Sequence, residues 1–457
     1  MNDITGWLIA IVIISLYFAI LLFLKKRDLF ERYNLSFYGP LLMWKTKKGK
    51  EFIRKIAKPK KFWNGFAMIG IVISFIAMFF MLWLLVENLS LLQHVPKKEL
   101  QNLPGINMVI ALPGINPILP VGYTIIGLAI AIVVHEFSHG IQCVLGKIKI
   151  KSLGIIAFIV PIGAFVEPDE DELKNADSKR RMKVFAAGPT MNLFVSFLCV
   201  IMVSFVLFPS VQPSDGAVVF YVIEDSPAHE IGMKSWQVIT EIDGREIKDY
   251  NDFYSVMHNT TAGENISISY HSLDGKYYTK YVVLADKYNF TNESKDVGIG
   301  FLGVGITDVL ERDLELFKNP FEESPKDFLI RYYGAPFMGF FVGYSPLKEP
   351  FTSYYKIEGI FSFFPSNVFW GIVNTFYWIF WLNFAVGLFN VLPIIPFDGG
   401  YILQDGVKEG IKRLTRKITE ERREKIVKVI MTAISIMTLF LVLAPLILKY
   451  LAMLLFS

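Results

Sequence analysis

Cysteine is nearly absent: the 457 residues hold two, Cys143 and Cys199, both inside apolar stretches. That count excludes a disulfide-stapled fold. Histidine is scarce, with six residues in all, and charged residues make up only 19% of the chain, against about 25% in an ordinary soluble domain. Charge is missing altogether from Ile4–Leu24, Phe62–Val86, Val184–Phe208, Val368–Leu392 and Val429–Leu448. Each is long enough to cross a bilayer, which takes about 20 apolar residues in a helix. A sixth run, Val121–Leu145, is mostly apolar and carries no formal charge beyond the motif discussed below. With 53% hydrophobic residues and a mean hydropathy of +0.43, a single soluble core is excluded. The fold expected is an α-helical polytopic membrane protein of about six spans.

Lysine and arginine set the expected orientation. Residues 25–61 carry 13 Lys/Arg against 3 Asp/Glu, and residues 147–183 carry 8 Lys/Arg. Residues 404–428 are also basic. These three loops alternate correctly with six spans, so all three read as cytoplasmic. The insert 210–308, with 15 Asp/Glu against 7 Lys/Arg, then lies outside, as does the N-terminus. Ile4–Leu24 is followed by Lys25-Lys26-Arg27 without a small-residue cleavage site, so it reads as an anchor. The basic stretch Lys45–Lys61 suits anionic lipid; no nucleic-acid partner is expected.

Within Val121–Leu145 stands His135-Glu136-Phe137-Ser138-His139. On a helix, His135 and His139 are four apart and share a face. Two imidazoles on one face beside a glutamate form the zinc-hydrolase pattern. Ionisable groups at membrane depth are costly and are functional candidates by default. Cys143, one turn on, reads better as a small packing residue than as a ligand. A catalytic zinc needs a third protein ligand and an open position. Asp398 is the best candidate, in Asn390-Val391-Leu392-Pro393-Ile394-Ile395-Pro396-Phe397-Asp398-Gly399-Gly400. Pro393 and Pro396 should break the fifth span, and Gly399 and Gly400 should allow a sharp turn. Asp398 could instead, or as well, cap a helix starting at Tyr401.

The fourth span opens with Ala186-Ala187-Gly188-Pro189-Thr190-Met191-Asn192. Gly188 and Ala187 suit close helix approach. Asn192, and likewise Asn390, reads either as a hydrogen-bond donor to substrate or oxyanion or as interhelical glue. At about 1.5 Å per residue, all three motifs fall near the cytoplasmic third of the spans.

HExxH in one helix, Gly-Pro-x-x-Asn in the next and Asn-x-x-Pro-x-x-x-x-Asp-Gly in a later one resemble the intramembrane site-2 protease family of zinc metalloproteases. The resemblance covers roughly 121–208 and 368–406. It implies His135, His139 and Asp398 as ligands of one zinc per chain and Glu136 as the catalytic base. It implies transmembrane protein substrates, often cut first elsewhere, cleaved in regulated intramembrane proteolysis.

Other segments follow from local signals. Ile148–Val166 is β-branched, with Gly154, Pro161 and Gly163 as turn signals. It reads as a re-entrant β-hairpin whose edge could pair with an unwound substrate, or as a plug. The insert should be mostly strands, with a hairpin about Asp274-Gly275. Its order resembles a protease-associated PDZ domain, although Ser235-Trp236 replaces the usual Gly-Asp. Such a domain binds peptides or serves as a spacer that excludes bulky substrates. Residues 307–367 read as an aromatic-rich interfacial linker. The expected layout is 1–120 (two spans with basic and outer loops), 121–208 (catalytic helices and hairpin), 209–306 (PDZ-like), 307–367 (linker) and 368–457 (catalytic helix and last span). Two other functions remain open: an inactive scaffold binding peptides through the insert, or another membrane zincin such as a prenyl-protein protease.

Overall fold

The computed structural model describes residues 15–24, 26, 34–38, 41–46, 49–110, 113–158, 160–272, 274–322, 324–415 and 418–456. The elements that matter here are, in chain order, β1 (Leu35–Tyr38), β2 (Leu41–Thr46), α1 (Lys60–Leu92), α2 (Val121–Leu145), β3 (Ile150–Phe158), β4 (Val160–Pro168) and α3 (Ser178–Ile201). Then come β5 (Ala217–Val222), β6 (Val238–Ile242), α4 (Tyr250–His258), β7 (Asn265–His271), β8 (Tyr277–Val283), β9 (Val304–Thr307) and α5 (Val309–Lys318). The chain closes with α6 (Ser366–Asn390), α7 (Asp398–Leu414) and α8 (Glu420–Phe456).

Five helices among the described residues are long and apolar enough to cross a membrane: α1, α2, α3 with its continuation to Ser210, α6 and α8. The expected first span lies mostly outside the described residues; its described part, Ser15–Leu24, is helical. α2 has the bounds read from the sequence, between Pro120 and Gly146. α8 continues through Pro445 to Phe456, so the C-terminal residues extend the last span.

Two compact units divide the chain: Met1–Cys199 with Tyr377–Ser457, and Val200–Phe376. In the first, small residues let helices approach closely. A side chain on Gly127 of α2 would meet the Trp378 carbonyl oxygen of α6 at 3.0 Å, and one on Gly70 of α1 would meet Thr190 Oγ1 at 2.7 Å. The expected hairpin is present as β3–β4, pairing Ile155 with Ala164. It is larger than expected: the antiparallel sheet runs β1-β2-β3-β4, with Trp44 opposite Ile155. β1 and β2 come from the basic stretch that had looked like a plain loop. Four- and six-residue strands between charged segments carry too little alternation to be read without their partner β3. The short helix Gly49–Ile56 then buries Ile53 against Ile141, Cys143, Ile148 and Leu153. Cys143 is thus a packing residue.

The second unit holds a sheet ordered β8-β7-β6-β5-β9, with Arg245–Glu246 paired to β6. Its core is built from Val219, Ile239, Ile242, Ile266 and Ile268, with an irregularity between Ile239 and Glu241 of β6 that lets both Ile239 and Ile242 face inward, closed by Phe253 of α4. The unit is mostly strands, as expected, and its hairpin pairs β7 with β8 across the turn expected at Asp274-Gly275. Asp249 caps α4 by accepting from Asp252 N, and Gly275 takes φ 77° in the hairpin turn.

The segment expected as an aromatic-rich linker has structure of its own. Residues 307–367 are folded, with α5, further helical turns and buried Phe317, Tyr332, Tyr344, Phe351 and Tyr354. Trp236 explains its own departure from the PDZ pattern. Its ring stacks on Tyr344 at 5.4 Å and 7° and meets Phe351 edge-on at 4.8 Å, and its carbonyl accepts from Tyr354 Oη. These contacts hold the residue at φ 66°, an uncommon conformation for a bulky side chain. Burial lifts the Asp313 carboxyl above its ordinary range, against the Tyr344 hydroxyl and Arg331 guanidinium.

Candidate metal centre

α2 carries His135 and His139 on the face turned toward α3 and the start of α7. Pro393 stops α6 as expected, and α7 begins at Asp398 rather than at Tyr401. The cap position is held by Phe397, which makes no side-chain capping bond, so Asp398 is the first residue of the helix and not its cap. Asp398 Oδ2 lies 3.1 Å from His135 Nε2 and 3.3 Å from His139 Nε2. One ligand atom from each of the three residues falls within 4.8 Å of the others. Apart from these imidazoles, buried Asp398 Oδ2 has no hydrogen-bond partner.

Gly399 and Gly400 were expected to allow a sharp turn, but neither has a positive φ. Their role is close approach: a Cβ on Gly400 would lie 2.7 Å from the Ile394 carbonyl oxygen. The broken segment folds back on itself there, and only glycine fits.

Gly188 is the residue whose role the sequence did not disclose. It had been assigned to helix approach, yet a Cβ there would lie 2.6 Å from His139 Nε2 and 2.7 Å from His135 Nε2. A side chain would fill the space into which both ring nitrogens point. Two imidazoles, one carboxylate and a cleared space make a donor set that fits zinc, with room for a fourth ligand.

α3 and α7 are locked antiparallel around this space. The Arg181 guanidinium forks onto Asp405, with Nε 3.0 Å from Oδ2, and also donates to the Lys174 and Ala176 carbonyls. One turn on, the Phe185 and Tyr401 rings stack at 4.5 Å. The residues descend along α7 as they ascend along α3, which brings Gly188 to the level of Asp398.

Backbone groups complete the surroundings. His139 Nδ1 lies 2.7 Å from the Val184 carbonyl, which accepts its N–H and leaves Nε2 free for a metal. Glu136 Oε2 accepts the Val166 N–H of β4 at 2.8 Å, so the end strand of the sheet borders the glutamate. Backbone donors and acceptors have no sequence signature. Asn192 is fully buried, with its amide 3.3 Å from His135 Nδ1. Asn390 donates to the Val386 carbonyl one turn back on its own helix at 3.0 Å.

A helical membrane protein in which two histidines of an apolar helix meet an aspartate at the start of another helix defines a class, and comparison with known proteins identifies the family. The model of peptidase family M50 matches residues 123–438. An uncharacterized protein of Methanocaldococcus jannaschii is 27% identical over 392 residues, covering 85% of this chain and 84% of that protein. A putative zinc metalloprotease of Clostridium acetobutylicum is 25% identical over 307 residues, 61% of this chain and 84% of that one. The PDZ domain of an SdrC-like protein from Listeria monocytogenes aligns at 26% identity with 22% of this chain and 95% of its own, with a TM-score of 0.19. The chain belongs to peptidase family M50, the site-2 protease family of zinc metalloproteases.

Proposed function

We propose that this chain is an intramembrane zinc metalloendopeptidase that cleaves transmembrane helices of other proteins. The observation that carries this reading is the convergence of His135, His139 and Asp398 within 4.8 Å, with Glu136 beside them on a helix apolar enough to span a bilayer.

His135, His139 and Asp398 would hold a zinc ion, which would supply Lewis acidity to activate water and polarise the scissile carbonyl. Glu136 acts as general base on the attacking water and returns the proton to the leaving amine. Its carboxylate is steadied for that task by the Val166 N–H. Asn390, and Asn192 in the simplest reading of the motif, would steady substrate or oxyanion.

A helical substrate must unwind before its amides can be attacked, and its freed backbone then needs partners. β4 lies at the end of its sheet. The Val166 N–H points away from β3, and in an antiparallel ladder Ala164, two residues back, points the same way. A substrate strand adding at this edge would lie beside Glu136. The distribution of basic and acidic loops supports a site near the cytoplasmic side and an extracytoplasmic PDZ-like unit. That unit would bind the ends of trimmed substrates or exclude bulky ones.

The test uses the full chain in detergent, wild type and Glu136→Gln. Zinc per chain is measured, and single-span substrates are assayed with and without chelator. One zinc in both, with chelator-sensitive cleavage by wild type alone, is the expected outcome. Absence of zinc from reconstituted wild type would sink the proposal.

A further inference from the structure

The Asn192 amide carries information that its motif does not. Its Nδ2 lies 3.3 Å from His135 Nδ1, while its Oδ1 is buried with no hydrogen-bond partner. A neutral imidazole that offers Nε2 to a metal carries its proton on Nδ1. His135 Nε2 is the atom that faces Asp398, so with a metal held there Nδ1 would be the protonated nitrogen. An N–H then faces an NH2 group, and the only nearby acceptor faces nothing. Rotating the amide half a turn about χ2 exchanges the two ends, which fill almost the same volume. Two mismatches become one good hydrogen bond, from His135 Nδ1–H to Asn192 Oδ1.

We propose that Asn192 is a positioning residue for the metal centre, whose side-chain oxygen accepts the Nδ1–H of His135 and fixes its ring and tautomer. His139 has the equivalent arrangement, with the Val184 carbonyl 2.7 Å from its Nδ1. Each imidazole is thus held from behind by an oxygen borne on α3, one from the backbone and one from a side chain. Full burial of Asn192 fits a group that acts on the ligand and not on a substrate. The inference rests on His135 being a zinc ligand.

The test is zinc affinity of the full chain in detergent, measured against a competing chelator for wild type, Asn192→Leu and Asn192→Asp. The absorption of the cobalt-substituted proteins is recorded alongside. Loss of such a supporting partner weakens metal binding by about 10–100-fold, and that is the expectation for Asn192→Leu, with an altered cobalt spectrum. Asn192→Asp, whose anionic oxygen accepts more strongly, is expected to tighten binding and keep the wild-type spectrum. It supplies the answer if the leucine variant does not fold. Zinc affinity unchanged in the variants, with cleavage lost, would overturn the proposal and return Asn192 to the role of substrate or oxyanion donor. Wild type that binds no zinc would overturn the metal reading itself, a result distinct from the first.

Discussion

Gly188→Ala separates the metal chamber from the rest of the fold. The added methyl carbon would lie 2.6 Å from His139 Nε2 and 2.7 Å from His135 Nε2. Ordinary contact begins near ~3.5 Å, so each ring nitrogen must retreat by roughly 0.8 Å. Zinc holds nitrogen at about 2.0–2.1 Å and accepts deviations of only about 0.2 Å. The rings can swing aside in the metal-free protein, since only side-chain ends are met. The helix itself gains, because alanine is favoured over glycine by about 1 kcal/mol in a helix interior. Metal-free Gly188→Ala should therefore unfold at or above the wild-type temperature. Its zinc affinity should fall at least ~100-fold, about 2.8 kcal/mol. Chelator competition measures the affinity, and circular dichroism during heating measures the fold. A variant that folds and binds zinc as tightly as wild type would refute the assignment of this glycine.

Two further outcomes follow from the packing. Asp405→Ala leaves the largely buried Arg181 without its partner and should cost about 3–5 kcal/mol, with zinc affinity reduced because α7 loses its register; the exchange of Arg181 and Asp405 should recover part of both, read by thermal unfolding and zinc titration. Trp236→Ala removes three ring contacts, two of them to Tyr344 and Phe351, worth about 0.5–1.5 kcal/mol each, and hydrogen exchange should rise across 335–361 but not in the strand core if Trp236 is what docks that segment.

Much of the candidate site was legible in the sequence because its chemistry is local. His135 and His139 share a face through helical spacing alone, and polar groups stand out in an uncharged run. Asp398 was legible because two prolines stop one helix and a new one begins beside it. Gly188 was legible as a small residue but not as a metal-facing one. Its significance lies in what occupies the space across the helix interface, and spacing along one chain does not report that.

The strand content of the β-rich unit was also near the surface of the sequence, since the turn of its hairpin announces itself at Asp274-Gly275. The internal packing of residues 307–367 was not legible, because aromatic residues suit both a bilayer interface and a packed core. Trp236, the departure from a familiar pattern, packs against Tyr344 and Phe351 of this segment.

The sequence by itself determined the membrane class, the two histidines and the breaks that deliver Asp398, because periodicity, hydropathy and proline act within one segment. Only the tertiary structure decided that β1 and β2 join the hairpin, that Val166 holds Glu136, that Val184 supports His139, and that Gly188 clears the chamber. Those assignments depend on which backbone atoms and side chains meet across segments far apart in the chain, and a linear pattern does not record such meetings.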